Sequence, residues 1–256
     1  MTPVNENDSL RTCENSRERG LVEKPAQHTA AVRLHDELAT DWDGKYQKRS
    51  YRERLTLLDE LLRELNLKSM VWLDAGCGTG TMSRWLAARG CQVRGVDAAP
   101  AMIQIARQMS SNDIGTESLQ FEVIGNIETL PFSGSSFDGI LCSSVLEYAA
   151  RPERCLEEFA RVMRSGGKLL ISVPNAHSLI RKALRTAHDL SRLTGRAWLP
   201  YLEHSHHEYS VAEFAQHLGT HGFRAEKSVV FGTPLPRWMQ RSSFLGSLIM
   251  VLASRR

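Results

Sequence analysis

A chain of 256 residues, 42% hydrophobic and 24% charged, is long enough to bury a full core and sits between one domain and two. Its net charge of +3 is too mild to argue for nucleic acid, and no apolar run approaches the ~20 residues that span a bilayer. Five cysteines, at 13, 77, 91, 142 and 155, form no C-x-x-C pair and leave an odd count, which predicts reduced thiols and a cytoplasmic protein rather than a disulfide framework.

Residues 1–28 are polar, mixed in charge and lack the apolar stretch of a signal peptide, so they read as a disordered tail. From 29 to 67 the pattern is helical, with Leu55, Leu58, Leu61, Leu62 and Leu65 at three- and four-residue steps. The preceding DWDGKY, with Trp42 and Tyr46, reads as a helix end and a loop. Residues 70–174 then alternate. MVWLDA, QVRGVD, LQFEVI, FDGILCSS and KLLISVP read as strands. TMSRWLAAR, PAMIQIARQM and PERCLEEFARVMR read as helices, the last two with Pro100 and Pro152 in the first turn and the last closed by Gly166–Gly167. This alternation predicts an α/β fold, a parallel sheet with helices on both faces.

Residues 176–209 break the rhythm as an insertion. Leu179, Ile180, Ala183, Leu184 and Ala187 form one stripe, and Arg181, Arg185, His188 and Arg192 another face. The stripe is expected to cover a hydrophobic substrate or pack on the sheet edge. The basic face is expected in solvent, or against a carboxylate, a phosphate or anionic lipid headgroups. Ser210 and Glu213 make a capping box for a helix at VAEFAQHLGTHG. AEKSVVF and GSLIMVLAS read as closing strands around the Pro-rich, basic TPLPRWMQR.

The densest signal is MVWLDAGCGTG at 70–80, a strand ending on Asp74 and turning through Gly76, Gly78 and Gly80. A dinucleotide fingerprint would need its third glycine at Thr81, and no Lys-Ser/Thr pair follows for a P-loop. A carboxylate here repels phosphate and attracts ammonium, so the turn suits a cationic, amino-acid-bearing ligand, provided the cradle is open to it. The second strand ends at Asp97, 23 residues on, where a carboxylate either accepts two hydrogen bonds from a ribose diol or caps the next helix. After the third strand, Asn126 is placed to read an adenine edge and Ile127 to pack on its face.

The series DAGCGTG, VDAAPAMIQIAR, GNIETLPFSGSSFDGILCSSVLEY and FARVMRSGGKLLISVPN, within roughly residues 35–175, resembles the class I S-adenosylmethionine-dependent methyltransferases, in particular the small-molecule branch that includes the quinone-biosynthesis enzymes. The resemblance implies a Rossmann-like, seven-stranded, mostly parallel sheet with the last strand antiparallel. It implies one domain over 29–256, with an N-terminal helical lid at 29–67 and an acceptor lid at 176–209. The implied cofactor is S-adenosyl-L-methionine. Asp74, Gly76 and Gly78 would border its methionine part, Asp97 its ribose, and Ala98, Met102, Asn126 and Ile127 its adenine. Ser143 and Leu146 would lie below the sulfonium, with Tyr46 and Trp42 closing over the top. Asn126 stands where the family commonly has Asp, and Tyr148 where relatives often carry His.

The implied reaction is methyl transfer to a small-molecule acceptor, at oxygen for preference. Small-molecule N-methylation and a non-catalytic binding protein are the alternatives. In YLEHSHHEYS, His204 and then His207 are the candidate bases, with Glu203 or Glu208 to orient an imidazole. No metal is expected. The acceptor is read as hydrophobic with an anionic group. A nucleic acid partner is not expected, because CSSVLEY stands where a [DNS]-P-P-[YFW] motif would lie.

Overall fold

The computed structural model describes residues 29–46, 49–110, 118–193, 199, 201–232, 235–236, 239 and 241–256. The tail predicted at 1–28 lies outside them. Three helices, α1 (Ala30–Glu37), α2 (Ala39–Tyr46) and α3 (Arg49–Leu61), precede β1 (Val71–Ala75). There follow α4 (Thr81–Ala87), β2 (Gln92–Asp97), α5 (Pro100–Ser110), β3 (Leu119–Val123) and β4 (Phe137–Ser143). A single 3-10 turn at Leu146–Tyr148 leads to α6 (Pro152–Val162) and β5 (Met163–Pro174). The chain closes with α7 (Leu179–Leu193), α8 (Tyr201–His204), α9 (Val211–Thr220), β6 (Phe223–Phe231) and β7 (Leu248–Arg255).

The strands form one sheet in the order β3-β2-β1-β4-β5-β7-β6, and β7 runs antiparallel to both its neighbours. Side chains alternate across the sheet with period two. Leu73, Ala75, Ile140, Leu169 and Ile171 face one way and pack with Leu156, Phe159 and Phe214 of α6 and α9. Trp72, Leu141 and Leu170 face the other way and pack with Leu57, Leu58, Leu86 and Ile103 of α3, α4 and α5. The chain steps outward from β1 through β2 and β3, then returns to the far side of β1 with β4. Ligands of such sheets bind at this reversal, beyond the carboxyl ends of the strands.

Three expectations are corrected. DWDGKY is part of α2, not a loop. Gly44 costs about 1 kcal/mol in a helix, but α2 lies against α3 and α5, and that packing outweighs propensity. Helix α6 stops at Val162, earlier than the periodicity suggests, because Met163 turns extended and pairs with Phe137, so β5 runs through Gly166–Gly167. The insertion helix α7 is seated on its charged face. Arg181 Nε and Nη2 donate to Glu208 Oε1 at 2.8 Å and Ser205 Oγ at 2.6 Å, so the apolar stripe points outward. The insertion is closed at its neck, where Ala176 N donates to Tyr209 O and Tyr209 N to Pro174 O, both at 3.0 Å. Both halves of the Ser210–Glu213 capping box form at the start of α9.

Candidate active site

The glycine turn holds its own backbone donors. Gly76 N and Cys77 N both donate to Val96 O, at 2.8 and 3.0 Å, and Gly78 N donates to Asp97 Oδ2 at 2.8 Å. A phosphate cradle needs such N–H groups turned outward. Here they tie β1 to β2 instead. Gly76 has φ +78°, and a Cβ there would lie 2.2 Å from Val145 Cγ2.

Asp74 is buried and its Oδ2 accepts a hydrogen bond from the Ser83 hydroxyl at 2.5 Å. Its Oδ1 has no partner among the described residues. Burial raises its carboxyl from 3.8 to about 7, against the Ser83 bond, and repulsion from Asp97 adds to the rise. Asp97 is half-buried and its Oδ1 accepts from Ala99 N at 2.9 Å. Burial raises its carboxyl too, opposed by the Ala99 and Gly78 amides and by nearby His35. A cation between Asp74 and Asp97 relieves both strains, and an anion worsens them. The residues present therefore fit the sulfonium and ammonium of S-adenosyl-L-methionine.

The lid is docked. Asp36 Oδ1 accepts from Ala101 N at 2.8 Å and pins α1 to the start of α5. The His35 ring stands 5.2 Å from Trp42 and 5.1 Å from Tyr148. Over Gly78, the Trp42 indole Nε1 and Met102 Sδ lie 3.6 and 4.0 Å from where a Cβ would sit. The cradle is therefore roofed at that point, with room for a methyl group, where the sequence reading requires it open.

The remaining candidates are spread along the same edge. Met102 is buried with Ala39 and Ala99, against Trp42, and Ala98 is half-buried. Tyr46 lies in α2, its side chain outside the described residues. Asn126 is exposed, and its Oδ1 accepts from Glu128 N at 2.9 Å and Thr129 N at 3.1 Å, so its carbonyl is engaged in an Asx turn. Ile127 belongs to the main core. Ser143 Oγ is 3.2 Å from Ser172 Oγ.

Beyond β4 the structure gathers groups that sequence reasoning passed over. Ser144 has φ +58° and its Oγ accepts from Arg54 Nη2 at 2.9 Å. Glu147 is 3% exposed and its Oε2 has no partner among the described residues. Burial raises Glu147 from 4.5 to about 7, opposed first by a backbone hydrogen bond and then by Arg181 and Arg54, both themselves buried. The histidine segment runs alongside: His206 N donates to Glu147 O at 3.0 Å, and His207 Nε2 lies 3.1 Å from Ala149 O. His204 is half-buried at the end of α8, which touches α1. The available signals were one acid in the apolar run SVLEY and one arginine beside a leucine stripe. Among the described residues no three His, Cys, Asp or Glu side chains converge to hold a metal ion.

Comparison with known proteins bears on the fold and the family. Residues 73–171 match the family described as methyltransferase domain. The mitochondrial ubiquinone biosynthesis O-methyltransferase of Schizosaccharomyces pombe is 30% identical over 174 residues, 64% of this chain and 62% of that protein. The malonyl-[acyl-carrier protein] O-methyltransferase of Serratia marcescens is 36% identical over 107 residues, 42% of this chain and 39% of that one. Magnesium protoporphyrin IX methyltransferase of Synechocystis, solved with bound SAH, superposes with a TM-score of 0.66 over 88% of this chain and 99% of its own, at 17% identity, and shares the fold. The chain spans less than two thirds of the length of these curated relatives. Residues 73–171 thus match a methyltransferase domain, set in a seven-stranded sheet of the kind those enzymes share, and the chain resembles the methyltransferases of quinone biosynthesis.

Proposed function

We propose that the chain methylates an oxygen of a small-molecule acceptor carrying an anionic group. The carrying observation is the buried Glu147 carboxyl, held at about 7 with one oxygen unpartnered among the described residues, in the field of Arg181 and Arg54. S-adenosyl-L-methionine supplies a methyl group activated on sulfur. Asp97 holds the ribose hydroxyls with its remaining lone pairs, and Asp74 faces the positive end of the methionine moiety. Alignment of acceptor and methyl is worth ~7–11 kcal/mol of barrier. Glu147 takes the acceptor's hydroxyl proton, worth ~10²–10⁴-fold in rate for a base whose pKa lies near the working pH. Arg54 and Arg181 receive the anionic group. Both curated relatives are named as O-methyltransferases, which supports oxygen over nitrogen.

The test is transfer of labelled methyl to phenolic and carboxylic acceptors, in wild type, Glu147→Gln and His204→Ala. Wild type is expected to label a phenol bearing a carboxylate. Glu147→Gln is expected to lose about 100-fold in kcat with cofactor affinity kept, and His204→Ala to lose less. Cofactor binding without transfer to any oxygen acceptor would refute the reading. A larger loss in His204→Ala than in Glu147→Gln would move the base to the histidine.

A further inference from the structure

We propose, on the reading of Arg54 as receptor for the acceptor's anionic group, that Ser144 is a positioning residue whose hydroxyl aims the Arg54 guanidinium and so sets the preference for charged acceptors. Ser144 directly follows β4 and has φ +58°, a left-handed backbone that favours glycine. A serine there is strained, and such strain persists where the surroundings over-determine it, most often at functional sites. Ser69 and Ser135 also have positive φ, but they lie ahead of β1 and β4, at the opposite pole of the sheet. Ser144 stands at the carboxyl ends of the strands, and its hydroxyl holds a charged side chain.

A serine clamp keeps the turn in place. Ser144 N donates to Ser172 Oγ at 3.0 Å and to Ser172 O at 3.3 Å, and Ser143 Oγ stands 3.2 Å from the same Ser172 Oγ. Ser172 is fully buried in β5, so the clamp is tied to the interior of the sheet. The chemistry of arginine then fixes the direction of the Ser144 hydroxyl. A guanidinium has donors and no acceptor, so in the 2.9 Å contact Arg54 Nη2 donates and Ser144 Oγ turns a lone pair toward it. Arg54 is buried, comes from α3, and holds its guanidinium 5.9 Å from the centre of the Phe231 ring in β6. A hydroxyl and an aromatic face thus hold one guanidinium from two separate elements. Burial raises the Glu147 carboxyl in the next turn, and Arg54 is among the groups that draw it down. Ser144 therefore stands between the anion receptor and the proposed base. A guanidinium fixed in advance loses less freedom when it meets a carboxylate than a loose one. Glycine would satisfy the backbone at 144; what it lacks is the acceptor oxygen for Arg54.

The test is steady-state methyl transfer to protocatechuate, which carries a carboxylate, and to catechol, which does not. The proteins are wild type, Ser144→Gly, Ser144→Asn, Arg54→Met and Ser144→Gly/Arg54→Met. Wild type is expected to prefer protocatechuate through a lower KM. Ser144→Gly is expected to melt no lower than wild type, yet to lose about fivefold of that preference, in KM rather than in kcat. Asparagine tolerates left-handed backbone and carries an acceptor oxygen, so Ser144→Asn is expected to restore most of the preference. In the Arg54→Met background, Ser144→Gly is expected to lower it no further. A Ser144→Gly variant that keeps the wild-type preference while Arg54→Met loses it would overturn the positioning role and leave the acceptor reading standing. So would a loss that Ser144→Asn fails to restore. A wild type that prefers neither compound, or labels neither, would overturn both.

Discussion

Glu147→Gln separates a buried, protonated carboxyl from an ordinary ion pair. In the folded chain burial holds Glu147 at about 7, against 4.5 for the unfolded group. A pKa raised on folding means the native state keeps a proton that the unfolded state loses. Its stability is then fully present below 4.5, is lost as pH rises toward 7, and stays lost above that. At about 1.4 kcal/mol per unit the whole shift amounts to about 3 kcal/mol, of which about 2.5 kcal/mol falls between pH 5 and pH 8. Glutamine does not titrate. It leaves an amide with poor partners, a cost of about 1–3 kcal/mol that is the same at both pH values. The assay is urea unfolding of both proteins at pH 5 and pH 8, without ligands. The wild-type-minus-variant difference is expected to move by about 2–3 kcal/mol in favour of the variant at the higher pH. Every other titrating group cancels. A difference that stays flat within about 0.5 kcal/mol would show that Glu147 is ionised in the fold, paired with Arg54 or Arg181 or open to water.

Gly76→Ala is expected to cost about 2–4 kcal/mol in urea unfolding, from a left-handed backbone plus the Val145 clash, with Val145→Ala in the same chain recovering the clash portion. A Gly76→Ala variant as stable as wild type would show that Val145 does not crowd the turn. Arg54→Met is expected to raise the KM of an anionic acceptor at least about tenfold and leave cofactor affinity unchanged. Equal effects on charged and neutral acceptors would remove Arg54 from recognition. Trp42→Ala is expected to raise the cofactor's association and dissociation rates together, read with a fluorescent cofactor analogue. Unchanged rates would mean that the indole is no roof.

The sheet was legible because its information is local. β1 to β4 carry period-two alternation or short buried runs, each punctuated by Gly, Pro or a capping acid, and the glycine turn declares its own strand. What escaped depends on partners distant in sequence. Gly44 made α2 read as a loop, since nothing local reveals that α5 and α3 support it. The periodicity of α7 showed an amphipathic helix but not which face is buried. That is decided by Glu203, Ser205 and Glu208, in a segment whose sequence points to its histidines and gives no sign that its acids hold α7. Glu147 is hidden for the same reason, because the insertion is what shields it. Asn126 shows a subtler limit: its acceptor oxygen, assigned to an adenine by position, is engaged with the amides of Glu128 and Thr129.

Calorimetric titration with S-adenosylmethionine, set beside its uncharged thioether product S-adenosylhomocysteine, tests the electrostatic cradle most directly. One site per chain is expected in wild type, with affinity at least about tenfold weaker in Asp97→Ala. A wild-type chain that binds no nucleoside, or that prefers a pyrophosphate dinucleotide in competition, would contradict the assignment of Asp74 and Asp97 to a positively charged ligand.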